Sequence, residues 1–290
     1  MFKNSSEKNK IVWDKYLKKG QEPLFFSKIV EQNFDEFREK IEKNNYKFQE
    51  ELIHFLLGGG VIHFKNALNE NFIKKIIKSS FELSLKNTKD RTECNENTKN
   101  YFYIQSKDQS LNGGYKALDR SYYFFPWDDS SKDLFSEAFN YWRYLKVLAG
   151  ESFNKYESNK PKDYIINRLH VIQYLTGGGT ISPHTDPYDL SKLQIGCILS
   201  KFGEDYKDGG FTVFNENLDK VLLEDKFSQG SIFCFFPTLY HAVQPIDPKD
   251  NIDFNSKNGR WFLSMTTVGS DLLKKNRVKT RPINIKNWLF

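Results

Sequence analysis

The sequence predicts an α+β chain whose second half is an all-β sandwich or barrel. Apolar residues recur at helical spacing up to about residue 160, and short β-branched and aromatic runs divided by turn clusters fill the stretch beyond it. The chain also carries 26 Phe and 15 Tyr in 290 residues, a composition that favours strands and a bulky interior over disorder.

The first half reads as follows. SKIVEQNFDEFREKIEKNNYKFQEELIHFLL brings Ile29, Phe34, Phe37, Ile41, Phe48, Leu52 and Phe55 close to a 3.6-residue period, which predicts a helix. GGGVIHF follows as a short strand after a glycine stop. NENFIKKIIKSSFELSLKN is an amphipathic helix capped by Asn69 or Asn71. Residues 87–115 are polar and loop-like. SSKDLFSEAFNYWRYLKVLAG predicts a helix capped by Ser130 or Ser131 and ended by Gly150.

In the second half, IINRLHVIQYL, LQIGCILSKF, FTVFN, KVLLED, SIFCFFP, HAVQPI and RWFLSMTTVGS read as strands, separated by GEDYKDGG and KFSQG. The charged run DPKDNIDFNSKNG at 247–259 reads as a surface loop. No internal repeat or long linker is present. The expectation is one domain over 1–290: a mainly helical N-terminal layer at 1–160, a β core at 161–270 and a C-terminal tail at 271–290.

The net charge of +6 comes from 43 basic and 37 acidic residues, and much of it sits in mixed runs that read as solvated helix faces. No compact basic stripe is visible, so a nucleic-acid partner is not expected. Three cysteines without C-x-x-C pairing do not make a disulfide framework, and Cys197 and Cys234 lie in apolar runs that suit buried thiols. There is no apolar leader and no run of ~18 apolar residues. These features lead us to expect a soluble cytoplasmic protein with no membrane partner.

SPHTDPYD places His184 and Asp186 two apart between prolines, just after Gly177, Gly178 and Gly179. Alone, the pair is equally a polar turn. His241, one of only five histidines, follows 57 residues later at the start of a strand-like run. Two neutral imidazoles and one carboxylate suit a divalent transition metal and leave coordination positions open. Four strands between residues 184 and 241 would suffice to leave and return to one end of a barrel. Arg260 opens the next strand, and its planar guanidinium can bind a carboxylate through two parallel hydrogen bonds. Tyr174, ten residues before His184, could add a phenol hydrogen bond to the same carboxylate.

In order, YLTGGGTISPHTD, DGGFTVFN, GSIFCFFPTLYHAVQPI and GRWFLSM resemble the Fe(II)/2-oxoglutarate-dependent dioxygenases, within their prolyl-hydroxylase-like branch, over roughly residues 165–268. The resemblance implies a double-stranded β-helix, a jelly-roll or cupin-like barrel. It implies that His184, Asp186 and His241 bind Fe(II) and are the catalytic centre. It further implies that Arg260 binds the 5-carboxylate of 2-oxoglutarate, and that O₂ is consumed with release of succinate and CO₂. A carboxylate ligand at Asp186 leaves no vacancy for chloride, so hydroxylation, desaturation or ring closure is preferred to halogenation. Two departures stand out: the insert lengthens the His241–Arg260 spacing, and Phe262 stands where many relatives carry Ser. Ser264 lies further along the same strand face.

His170 alternates in phase with Tyr174 and reads as a satisfied core histidine or a pocket residue. Arg120 and Tyr122, in the aromatic run DRSYYFFPWDD, read as strand and core or as a substrate-pocket wall. Tyr188, just past the His-x-Asp pair, is a further pocket candidate. His54 and His63 read as packing or surface residues. The glycine run lacks the Gly-Lys-Ser/Thr and the helix of a phosphate loop. The favoured substrate is a small metabolite, amino-acid-like in character, enclosed by the N-terminal part and long loops. A peptidyl residue is the alternative. A damaged nucleobase is disfavoured, because Thr266 stands where that subgroup carries a second Arg. The non-enzymatic alternative is a jelly-roll binding module.

Overall fold

The computed structural model describes residues 2–86, 92–105, 115–273 and, as backbone, 281–282. Helix α1 (Lys3–Leu17) turns Ser5, Ser6, Asn9 and Trp13 inward, so the run KNSSEKNK is only half solvated. These buried polar groups are bonded, as they must be. Ser6 donates to the Glu151 carbonyl at 2.6 Å, Asn9 to Gln49 Oε1 at 2.7 Å, and Trp13 Nε1 to the Leu148 carbonyl at 2.9 Å.

The single helix expected over 27–57 is instead strand β1 (Ile29–Gln32), helix α2 (Phe34–Glu42) and helix α3 (Tyr46–Leu57). Asparagines cut it. Asn33 has an extended backbone and accepts from the Glu36 N–H at 3.0 Å, Asn44 turns left-handed at φ 53°, and Asn45 accepts from the Phe48 N–H at 3.2 Å. Asparagine tolerates these conformations and its side chain satisfies the first N–H groups of the next helix. Strand β2 (Val61–Phe64) and helix α4 (Glu70–Lys86) follow, with Asn69 accepting from the Asn71 N–H at 2.8 Å.

The expected loop at 87–115 contains strand β3 (Tyr101–Gln105), which pairs with β4 (Ala117–Phe124). Cross-strand aromatic pairs hold it; Tyr101 and Tyr123 stack at 4.9 Å. Helix α5 (Lys132–Leu148) then leads into the strand-rich half. That half contains β5 (Ile165–Tyr174), β6 (Gly179–Thr185), β7 (Gln194–Ile198), β8 (Gly210–Phe214), β9 (Lys220–Leu222), β10 (Ile232–Phe235), β11 (His241–Ile246) and β12 (Arg260–Gly269). A short strand β13 (Arg281–Pro282) pairs with β6 beside Thr185 and His184, so part of the expected tail returns to the sheet; 274–280 and 283–290 lie outside the described residues.

One sheet runs β1-β2-β10-β7-β12-β5-β4, with β3 on β4, and a second runs β4-β6-β11-β8-β9. All pairs in both sheets are antiparallel except β1–β2. Strand β4 joins the sheets by changing partner: Ala117 and Leu118 pair with β6, Arg120–Phe124 with β5. Alternation then separates two environments. On one face Trp261, Leu263, Met265, Leu169, Val171, Tyr122 and Phe124 share a core with Trp13, Phe37, Leu56 and Trp142 of the helices. On the other face Ile172 and Tyr174 meet Val243 and Ile246 of the second sheet, and Phe233 and Phe235 meet Phe211 and Val213. The candidate residues His184, His241, Tyr174 and Arg260 lie between the sheets.

Cys94, Cys197 and Cys234 are all buried. Among the described residues, no helix is long and apolar enough to cross a membrane.

Candidate metal centre

His184 on β6 and His241 on β11 are direct partners in the antiparallel ladder, which brings their rings to 4.3 Å between centroids. Both imidazoles are oriented by backbone. His184 Nδ1 meets the Ser182 carbonyl at 2.8 Å and His241 Nδ1 meets the Leu239 carbonyl at 2.9 Å. A carbonyl only accepts, so each Nδ1 carries the hydrogen and each Nε2 keeps its lone pair. Those lone pairs converge on Asp186, whose oxygens lie 3.9 Å from His184 Nε2 and 3.6 Å from His241 Nε2. Asp186 is itself anchored by its N–H donating to the Pro237 carbonyl at 2.9 Å.

The three residues offer one ligand atom each within 4.8 Å of one another, and no other such group of His, Cys, Asp and Glu occurs among the described residues. Burial, and next the His184 ring, hold His241 down to about 4, with Asp186 opposing. Its imidazole is therefore neutral, the form that binds metals. Phe235 meets His241 edge-on at 5.0 Å, and Tyr115 stacks on His184 at 4.9 Å.

Arg260, the first residue of β12, pairs with Tyr174 of β5 and is fully buried. Gly259 before it has φ 118°, and a Cβ there would lie 2.3 Å from the Tyr174 carbonyl oxygen. Glycine thus permits the tight approach of β12 to β5 where Arg260 and Tyr174 meet. Arg260 Nε donates to Glu224 Oε1 at 2.8 Å, but Nη1 and Nη2 have no hydrogen-bond partner among the described residues. Glu224 is equally enclosed; it accepts from the Tyr206 hydroxyl and from the Phe211 N–H at 2.5 Å. Burial, the largest single influence, would lower the Arg260 pKa, but Glu224 with Tyr206 and Tyr174 together hold it above its ordinary value. Burial, followed by Asp119, raises the Tyr174 phenol, so it stays protonated and able to donate.

The other pocket candidates separate. His170 is on the same face as Tyr174, with Nε2 3.0 Å from Ser121 Oγ and its ring stacked on Tyr123 at 4.3 Å. Arg120 and Tyr122 point to the opposite, helix-packed face, because strand alternation puts Asp119, Ser121 and Tyr123 between the sheets instead. Arg120 bonds Ser84 and, with Gln173, the Ser256 carbonyl of the 247–259 insert, which is therefore a pinned loop. Tyr188 bonds Glu22 and tilts against Phe236, joining the helix-side core rather than the triad. Ser264 faces inward, but its hydroxyl donates to the Ile195 carbonyl at 3.3 Å. His63 bonds Ser231 and His54 meets Tyr16 edge-on.

Three inward residues carry weight that no motif announced. Glu224 sits in a plain KVLLED run, 36 residues from Arg260; Tyr115 precedes the aromatic run DRSYYFFPWDD, and Asp119 opens it beside the candidates Arg120 and Tyr122. The even–odd alternation of β4 was the available signal.

No family model and no curated protein matches the sequence. Solved structures do. A thymine hydroxylase from Neurospora crassa, solved with alpha-KG and thymine, matches over 83% of this chain and 85% of its own, at 12% identity and TM-score 0.52. The chain has the fold of a 2-oxoglutarate oxygenase. A Pseudomonas putida prolyl-4-hydroxylase matches over 76% of this chain and 98% of its own, at 11% identity and TM-score 0.48. A Burkholderia pseudomallei 2OG-Fe(II) oxygenase-family oxidoreductase matches over 86% and 98%, at 10% identity and TM-score 0.42. At these identities the likeness is one of fold, and the thymine hydroxylase comparison carries it. In this oxygenase fold the jelly roll is made by the two sheets that enclose His184, His241 and Arg260.

Proposed function

We propose that the chain is an Fe(II)/2-oxoglutarate-dependent oxygenase that hydroxylates an unactivated C–H bond of a small, amino-acid-like metabolite. One observation carries this: Arg260 is fully buried with both terminal nitrogens lacking a hydrogen-bond partner among the described residues, between the same two sheets as a His-Asp-His group whose histidines are buried and whose Asp186 is half-buried. Two parallel N–H donors match one carboxylate. An anionic ligand would satisfy them, and a 2-oxo diacid could do so while its oxo-acid end reached a metal at the triad.

In this reading His184 and His241 hold Fe(II) through Nε2 and Asp186 through a carboxylate oxygen, while Arg260 and Tyr174 hold the distal carboxylate of 2-oxoglutarate. When bound, the metal with 2-oxoglutarate and O₂ supplies the oxidation and yields succinate and CO₂. The chain itself orients and shields. The Ser182 and Leu239 carbonyls fix the tautomers, Phe235 and Tyr115 cover the imidazoles, and Glu224 holds the guanidinium plane. Asp186 supports hydroxylation over halogenation.

The test is anaerobic addition of Fe(II) and 2-oxoglutarate, followed by visible absorption. A weak metal-to-ligand charge-transfer band is expected, and it should vanish in His184→Ala and in Asp186→Ala. A folded protein without the band refutes the proposal, and a band that survives either substitution refutes the ligand assignment.

A further inference from the structure

The row of inward residues that begins at Arg260 and Tyr174 continues across β4 and β3. The β4–β5 register that pairs Arg120 with Gln173 sets Asp119 beside Tyr174, and Gln105 is the direct partner of Asp119. Asp119 is only 2% exposed. Ser121 donates to its Oδ1 at 2.7 Å, and Oδ2 has no hydrogen bond among the described residues. Having one hydrogen, Ser121 accepts from His170 Nε2 rather than donating to it. Gln105 is 4% exposed; its Nε2 donates to the Tyr103 hydroxyl at 2.7 Å and its buried Oε1 has no hydrogen-bond partner among the described residues.

Among the described residues, no cation neutralises this pair of acceptors. Arg120 lies on the opposite face, bonded to Ser84 and Gln173. Arg168 lies over the Tyr123 ring, four residues, roughly 13 Å of strand, from Asp119. Burial pushes the Asp119 carboxyl up to about 7, and only the Ser121 hydrogen bond opposes it. A buried carboxylate with a single hydrogen bond and a buried amide oxygen with none are costly unless something arrives to bond them. Tyr115, stacked on His184, stands four residues before Asp119 and links this corner to the triad.

We propose that Asp119 and Gln105 form a recognition site for a protonated amine, so that the substrate is a small aliphatic amine or amino acid bound through its cationic nitrogen. This rests on the oxygenase reading for what happens to the bound amine. Asp119 accepts from the ammonium through Oδ2, and Gln105 Oε1 takes a second hydrogen.

Calorimetric titration tests it on protein loaded anaerobically with Fe(II) and 2-oxoglutarate. The probes are free amino acids and aliphatic diamines, each paired with its N-acetyl counterpart. At least one amine should bind about tenfold or more tightly than its acetylated partner, the scale of one charged hydrogen bond. Asp119→Asn should abolish that preference while the charge-transfer band persists and Tm does not fall, since the variant removes an uncompensated buried charge. Gln105→Leu leaves the buried charge in place and should weaken the amine severalfold, so the site is tested even if Asp119→Asn misfolds. The proposal is overturned if no amine outbinds its acetylated counterpart, or if Asp119→Asn weakens 2-oxoglutarate instead of the amine. Absence of the band in the parent protein would refute the oxygenase reading, and titration of the metal-free protein would still decide the amine site.

Discussion

Arg260 and Glu224 are both enclosed, and neither charge would be stable there alone. Removing one partner of a buried pair costs about 3–5 kcal/mol. Glu224→Gln keeps the shape but leaves Arg260 uncompensated, so its denaturant midpoint should fall by an equivalent amount. Saturating 2-oxoglutarate should raise the Tm of this variant more than that of the parent, because the ligand then supplies the missing negative charge. Arg260→Lys replaces a fork by a point charge, and 2-oxoglutarate affinity should fall about tenfold or more in a binding titration, with Fe(II) affinity unchanged. Arg260 was legible because it follows a glycine and opens a strand. Glu224 was not, since nothing in KVLLED marks a residue whose partner arrives from another strand. Lys146 makes a different point. It is buried, donates to the Lys155 carbonyl at 2.7 Å, and burial lowers it to about 8 despite Glu157. The unfolded chain, near 10.5, holds its proton more tightly. Below pH 8 both states are protonated and the penalty is complete; between about 8 and 10.5 the folded state alone is neutral, so stability rises with pH by roughly 3 kcal/mol. Urea unfolding of the parent and of Lys146→Met across this window should show that slope only in the parent.

At the level of elements, periodicity found α4, α5 and most strands, but it failed at 27–57. There the apolar positions stay nearly in phase across breaks set by Asn33, Asn44 and Asn45. Asn45→Ala should cost about 1 kcal/mol by chemical denaturation, because the Phe48 N–H loses its acceptor. Strand β6, which carries His184, escaped as a strand because Pro183 and the preceding glycines read as turn; the ladder with β11 accommodates them through register shifts. Gly259 links element geometry to ligand geometry. Gly259→Ala should both lower Tm and weaken 2-oxoglutarate binding, since any Cβ presses on the Tyr174 carbonyl and displaces Arg260 with the start of β12.

For the whole molecule, β4, β5 and β12 each bind the helix-side core through one face and line the space between the sheets with the other. Composition and order foretold helices before strands. They did not reveal that β1 to β4 complete the sheets, because that depends on pairings distant in sequence, such as Arg120 with Gln173 and Phe64 with Ile232. Loss of helical signal on heating should therefore coincide with loss of the anaerobic charge-transfer band, giving one transition in matched scans.

Strand β12 is in effect two messages written in alternate letters. The even positions Arg260, Phe262 and Ser264 answer to chemistry, while the odd positions Trp261, Leu263 and Met265 answer to volume and fit. Drift in one message need leave no mark on the other, which is how a chain can share a barrel at 12% identity with a thymine hydroxylase and yet be free to rewrite what the barrel admits.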